Sequence, residues 1–352
     1  MPREAVIHRL PVKLVGVQYS FPMESLTTTG AAARLGIGVE RVRALIHAGR
    51  LTAAKHGRDW VIQPEDLDAV RERRPGRPRI EAWTGERERE MPATIAVMGR
   101  KGGSAKTTTA FNLAGAWAAA GRRCLLVDLD AQASLTLVLL PALDRGAPGI
   151  GNRLLDFQQG IADLVQPVGP GIDLVPGNRS IEGSATALAQ NPTGPQRLRR
   201  LLAPLADRYD RIILDTAPAL GFTQTSAMLA ADLAVIPTRT GGQQDLDPVP
   251  DIFLLHDELA EFGYQVAEIA AILPSNVHED AATQRNGLEG LRAAYGALIG
   301  EPIPYSRLVE RAMNGGVPLA RAFPGSAAAR AFRMLAHQLD AVPAERLSGA
   351  RT

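Results

Sequence analysis

Gly99-Arg100-Lys101-Gly102-Gly103-Ser104-Ala105-Lys106-Thr107-Thr108 is the stretch on which the fold turns. It follows the apolar run Thr94–Met98, which suits a buried strand, and it opens Thr107–Ala120, where apolar residues recur at helical spacing. Glycines at such a junction let the backbone curl so that successive N–H groups face one anion, and the start of the next helix adds its partial positive charge. In such a loop Lys106 is placed to reach the β- and γ-phosphates of a nucleotide, and the Thr107 hydroxyl to coordinate Mg²⁺. The general pattern G-x-x-x-x-G-K-S/T is not met literally, because Ala105 stands at its second glycine. The chain has four lysines, Lys13, Lys55, Lys101 and Lys106, and two of them fall in this loop. Arginine serves nearly everywhere else, so these two positions call for an ammonium group.

Working outward, further short runs are apolar on both faces: Cys124–Leu129, Ile172–Val175, Arg211–Leu214, Leu233–Ile236, Ile269–Leu273 and Glu301–Ile303. Helical stretches such as Pro195–Arg208 and Asp251–Phe262 separate them. Continuous apolar strands with crossover helices predict an α/β fold with a mostly parallel sheet covered by helices on both faces. Asp130 and Asp215 fall where apolar strands end, which puts their carboxylates at the carboxyl edge of the sheet beside the loop.

The segment from Ser25 to Arg74 reads differently. Thr28 or Thr29 caps a helix through Leu35, Gly36 and Gly38 turn the chain, and Val39, Val42, Leu45 and Ile46 mark a second helix that ends at Gly49. Leu51 to Ile62, broken at His56-Gly57-Arg58, predicts a two-stranded wing, and Pro64 opens a last helix. Residues 27–79 carry eleven basic and six acidic side chains, and the chain from residue 80 onward 25 basic and 29 acidic. A basic module attached to a slightly acidic body points to nucleic acid as the module's partner.

Composition excludes other classes. One cysteine, Cys124, rules out a disulfide framework and any cluster held by cysteines of one chain, and it sits inside an apolar strand as a small hydrophobe. Six scattered histidines show no ligand spacing. No run reaches the roughly 20 apolar residues that span a bilayer, and the N-terminus lacks a signal-peptide layout, so a soluble, cytoplasmic protein is expected.

The variant Lys-Gly-Gly-x-x-Lys-Thr-Thr resembles the deviant Walker A box of the ParA/MinD family of ATPases. Asp128-Leu129-Asp130-Ala131-Gln132 resembles the family's second motif, with Ala131 in place of its usual proline. Ile212-Ile213-Leu214-Asp215-Thr216-Ala217-Pro218 resembles its Walker B strand, and Ala312–Leu319 its late segment near the nucleotide base. The resemblance implies a P-loop ATPase of the ParA type, with ATP and Mg²⁺ as cofactors. Lys101, Gly102, Gly103, Ser104, Ala105, Lys106, Thr107 and Thr108 would bind ATP. Thr107, Asp128 and Asp215 would serve the metal, with Asp215 acting through water, and Asp130 would orient or deprotonate the attacking water. Lys101 would reach the partner's phosphates across a nucleotide-sandwich homodimer. Asn276, after Pro274-Ser275, is a candidate adenine contact, with an ordinary turn residue as the equal alternative.

The N-terminal segment resembles the winged helix-turn-helix of the excisionase and MerR type. That implies a recognition helix over Val39–His47 presenting Arg41 and Arg43 to DNA, with Lys55 and Arg58 on the wing. Pro75-Gly76-Arg77-Pro78-Arg79 resembles an AT-hook core, in which Arg77 would lie in a minor groove, against the alternative of a plain linker. Arg197, Arg199 and Arg200 read as a solvated helix face, with a second DNA-binding surface as the alternative. These readings divide the chain into an arm (1–24), a DNA-binding domain (25–74), a charged linker (75–91), an ATPase domain (92–342) and a tail (343–352). They imply plasmid or chromosome partition with a ParB-like centromere-binding partner, nucleoid association, and no membrane partner. A nucleotide-gated transcription regulator and a positioning ATPase for another cargo are the alternatives.

Overall fold

The structure is a computed structural model and describes residues 26–35, 37–47, 51–56, 59–67, 93–156, 158–191, 193–218, 221–241, 248–278 and 282–342. The chain divides into two compact units, Met1–Arg73 and Arg74–Thr352.

In the first unit, helices α1 (Thr28–Leu35) and α2 (Val39–His47) precede an antiparallel pair, β1 (Ala54–His56) and β2 (Asp59–Val61). Leu26 bridges Ile62, and residues 64–67 form a helical turn behind Pro64. Ala31, Ala32, Val42, Leu45, Ile46, Leu51, Ile62 and Leu67 close a small core, as the helical spacing of the apolar positions requires. The expected cap of α1 moves by one residue: Thr27 Oγ1 accepts the Gly30 N–H at 3.2 Å, so Thr28 and Thr29 lie inside the helix.

The second unit is an eight-stranded sheet. Its strands are β3 (Ala93–Val97), β4 (Cys124–Leu129), β5 (Gln166–Gly169), β6 (Ile172–Val175), β7 (Arg211–Thr216), β8 (Leu233–Thr238), β9 (Glu268–Val277) and β10 (Ile303–Pro304). They lie in the order β10-β9-β8-β3-β7-β4-β6-β5, all parallel except β5 against β6. β4 shows why its sequence is apolar apart from Asp128. Leu125, Val127 and Leu129 enter the core on one face of the sheet, while Cys124 and Leu126 enter the core on the other. Fully burying each such side chain is worth about 1.5–3 kcal/mol, so both faces favour this assignment. The cysteine is buried and its thiol pKa is pushed up to about 12 by burial.

Helix α3 (Lys106–Ala119) crosses the sheet directly after the loop, with Phe111, Leu113, Ala114 and Trp117 buried. Its Gly115 is required by packing: a Cβ there would sit 2.2 Å from the Cβ of Pro318. Asn112 fixes the same contact. Its Oδ1 accepts the Leu319 N–H at 2.8 Å and its Nδ2 donates to the Thr108 carbonyl at 2.9 Å. The late segment around Ala312–Leu319 is thereby held against the helix that starts at the phosphate loop.

The stretch expected as one helix over Pro195–Arg208 is three pieces: a 3-10 turn at Gly194–Gln196, an α-helix at Arg197–Leu202 and a 3-10 stretch at Ala203–Arg208. Pro204, at the second position of that last stretch, cannot donate to the helical ladder. The expectation of a solvated arginine face fails with it. Arg197 is buried at 7% exposure, and its guanidinium donates to the carbonyls of Arg153 and Asp156 at the end of helix Ile150–Leu155. Arg199 donates to Gln265 Oε1, which leaves Arg200 as the exposed member.

Candidate nucleotide site

The loop between β3 and α3 curls as its glycines and one alanine dictate. Gly103 has φ +72°, and Ala105 takes φ 70° as the residue preceding α3. Ala105 therefore adopts the left-handed conformation that the missing glycine would accept without strain, at a cost of about 1–2 kcal/mol. Lys101, Gly102 and Gly103 are exposed at the outer turn, while Ser104 and Lys106 are buried. Lys106 folds back on the loop, its Nζ donating to the Lys101 carbonyl at 3.0 Å. Burial lowers its pKa, and the neighbouring Asp215 and Asp130 oppose that shift. Lys106 and the two strand-end aspartates thus share one electrostatic environment, as their positions at the carboxyl edge predict.

Asp215 and Asp128 stand at paired positions of β7 and β4. Asp128 is fully buried, and its carboxylate accepts three hydrogen bonds, from the Thr136 N–H at 2.9 Å, the Thr136 hydroxyl at 2.7 Å and the Asp130 N–H at 3.1 Å. The Thr136 hydroxyl also accepts the Gly177 N–H at 2.9 Å. Asp128 is thereby a tether of the segment around Asp130 and Thr136, and burial still pushes its pKa up to about 6. Asp130 is half-exposed and accepts the Gln132 N–H at 2.9 Å.

Asp215 is the contrasting case. It is 1% exposed, and no hydrogen bond of full geometry reaches either carboxylate oxygen, although the Thr107 hydroxyl lies close enough to favour the charged form. Burial raises its pKa well above the carboxylate range and the Asp128 charge adds to this, against the Thr107 hydroxyl and the Lys106 ammonium. Buried carboxylate oxygens so weakly satisfied are costly, and a hydrated divalent cation would satisfy them. The fit to Mg²⁺ therefore rests on Asp215, with the Thr107 hydroxyl at the start of α3 beside it. Among the described residues no group of three or more His, Cys, Asp or Glu side chains converges on a metal-sized site. Such an ion would depend on phosphate oxygens and water for the rest of its shell.

Two polar residues of this edge were given no role from the sequence. Gln224 is fully buried, and its Nε2 donates to the Gly99 carbonyl at 3.0 Å and the Ala217 carbonyl at 2.7 Å, joining the start of the phosphate loop to the exit of the Asp215 strand. Thr216 Oγ1 donates to the Val97 carbonyl at 2.8 Å. Asn276 is in β9 with φ 60°, and His278 just beyond it stacks on Tyr305, ring centroids 4.3 Å apart.

In the first unit, Arg43 pairs with Glu40 at 2.6 Å, and Lys55 Nζ lies 5.7 Å from the Trp60 ring centre. The Arg41 side chain, Arg58 and Arg77 lie outside the described residues.

Comparison with known proteins supports the same division. An AAA domain family matches residues 92–245, and a helix-turn-helix domain family matches residues 25–75. The chain is 35% identical over 151 residues to an uncharacterised protein of Pseudomonas putida, covering 42% of this chain and 56% of that one. It is 38% identical over 144 residues to the chromosome partitioning protein ParA of Myxococcus xanthus, covering 41% of this chain and 50% of that one. The chain thus spans about half the length of these curated relatives. Among solved structures, McdA of Cyanothece in its ATP complex superposes with a TM-score of 0.66 at 21% identity, over 72% of this chain and 99% of that one. Residues 92–245 of the chain thus match an AAA domain family and are similar to ParA, and residues 25–75 match a helix-turn-helix domain family.

Proposed function

We propose that this protein is a partition ATPase that binds ATP with Mg²⁺ at the β3–α3 loop and hydrolyses it. The observation that carries this is the buried carboxylate of Asp215, without a full hydrogen bond, beside Lys106 and a loop whose Gly103 and Ala105 take left-handed backbone. Lys106 leaves the Lys101 carbonyl for the β- and γ-phosphates. The loop amides and the N-terminus of α3 hold the remaining negative charge. Thr107, and Asp215 through water, would hold Mg²⁺, which would supply positive charge against the phosphates when bound. Asp130, oriented by its backbone link to Asp128, positions the attacking water and takes its proton. The water oxygen bonds to the γ-phosphorus, the bond to the β–γ bridging oxygen breaks, and ADP and phosphate leave.

Lys101, exposed at the outer turn, supplies its charge to the phosphates of a second copy in a sandwich dimer. The dimer binds DNA without sequence preference. Hydrolysis stimulated by a ParB-like partner releases it, and the helix-turn-helix domain reads a specific operator. The boundaries at residues 24/25, 74/75, 91/92 and 342/343 belong to this reading. So does a cytoplasmic, nucleoid-associated location; among the described residues no helix is long and apolar enough to cross a membrane.

Sedimentation of the full chain with Mg²⁺ and a non-hydrolysable ATP analogue tests the proposal. A dimer that forms only with the analogue, and not in Lys101→Ala, is the expected result. A Lys101→Ala dimer as stable as the wild type would sink the sandwich arrangement.

A further inference from the structure

Arg239 stands one residue past β8, between Thr238 and Thr240, which are 2% and 1% exposed. The backbone is therefore fixed at this point while the arginine side chain is exposed. Its guanidinium lies over the phosphate loop: Nη2 is 3.5 Å from the place a Cβ would occupy on Gly103, and Cζ is 4.0 Å away. Together with Gly99, Arg100, Lys101 and Ser104 it lines a hollow at the loop. The two guanidiniums of this hollow are in different states. Arg100 is held by Asp251 at 2.7 Å, and that hydrogen bond raises its pKa. Arg239 has no carboxylate partner among the described residues. β3, which carries the loop, lies between β7 with Asp215 and β8 with Arg239, so the two residues flank the loop from opposite sides.

We infer that Arg239 is a further phosphate-holding residue, supplied from the same chain, which grips the bound nucleotide from the β8 side. The planar fork of a guanidinium matches two phosphate oxygens at once, and Arg239 breaks no ion pair with a described carboxylate in turning to them. Its weight falls on the triphosphate, whose extra charge gives the fork more to hold. This rests on the nucleotide-binding reading above and deepens it by assigning ATP-over-ADP preference to a residue outside the loop.

Fluorescent ATP and ADP analogues, titrated with Mg²⁺ into the full chain, test it. Arg239→Ala is expected to bind the ATP analogue about tenfold more weakly, with a smaller loss for ADP and an unchanged melting temperature because the side chain is exposed. Arg239→Lys should recover part of the loss by restoring the charge without the fork. Unchanged ATP affinity in Arg239→Ala overturns the inference and leaves the nucleotide site standing. Weaker binding with a lowered melting temperature and no recovery in Arg239→Lys assigns the residue to the fold, and also overturns it. Failure of the wild type to bind either analogue removes the nucleotide reading itself.

Discussion

The loop at the head of the sheet and the basic helix-turn-helix module handle positive charge in opposite ways. Lys106 is 7% exposed, hydrogen-bonded to its own loop and lowered in pKa, so its charge is held by the fold in a medium where it counts strongly. Arg43 and Lys55 are exposed; the first is half-neutralised by Glu40, and the second lies near an indole face. A cation in water contributes through its number and the salt concentration, whereas a cation in a folded loop contributes through one geometry. The same division separates the two kinds of anion each region is proposed to hold, one nucleotide and a long polyphosphate chain.

The largest expected effect probes the buried side. Lys106→Ala should abolish ATP binding, whereas Asp130→Ala should keep binding and lose at least about 100-fold in turnover, because one group holds the ground state and the other acts on the water. Calorimetric titration and phosphate release measure the two, and equal turnover in wild type and Asp130→Ala refutes the role of Asp130. Neither change should alter binding of a specific duplex by the full chain, if the two regions are as independent as their charges suggest.

Packing behind the loop gives the next effect. An alanine normally favours a helix over glycine by about 1 kcal/mol, but Gly115→Ala collides with Pro318 and should destabilise by about 1–3 kcal/mol in urea unfolding. Unchanged stability would mean that the Pro318 turn is free to move away from α3.

Asp215 supplies a pH signature that the module lacks. A carboxyl whose folded-state pKa is raised contributes stability below its unfolded pKa of about 3.9 and loses it as pH rises through the folded value. Deprotonating this buried carboxyl costs the nucleotide-free protein stability as pH rises, so Asp215→Asn should melt several degrees higher than wild type at pH 7, with the gap closing toward pH 4. A lower melting temperature at pH 7 would show that the carboxylate is compensated in the free protein.

The smallest effect lies on the exposed side. Arg43→Ala should weaken specific duplex binding by about tenfold and reduce its base preference. A loss that is uniform across sequences would make Arg43 a phosphate contact.

Much of this was legible in the chain itself. Gly99–Thr108 after an apolar run announced the strand, loop and helix, because glycine placement and helical spacing are local properties. Cys124–Leu129 and Ile172–Val175 were predicted with their observed bounds, since each begins and ends on apolar residues that the sheet buries. β5 was not, because Gln166-Pro167-Val168-Gly169 is a short, half-exposed edge strand whose proline and glycine read as loop. Arg197 was misread for a related reason: its burial depends on the carbonyls of Arg153 and Asp156, about 40 residues upstream in sequence.

The sequence by itself determined the sheet class, the glycine-rich loop between strand and helix, the strand-end positions of Asp130 and Asp215, and the basic module, because each follows from periodicity, glycine placement or charge within a short window. Only the tertiary structure decided that Asp128 is tied up by Thr136 while Asp215 has no full hydrogen bond, that Gln224 joins Gly99 to Ala217, and that Arg239 covers Gly103. Those relations join residues from 7 to 136 positions apart, and no local pattern encodes which distant neighbour closes over a given atom.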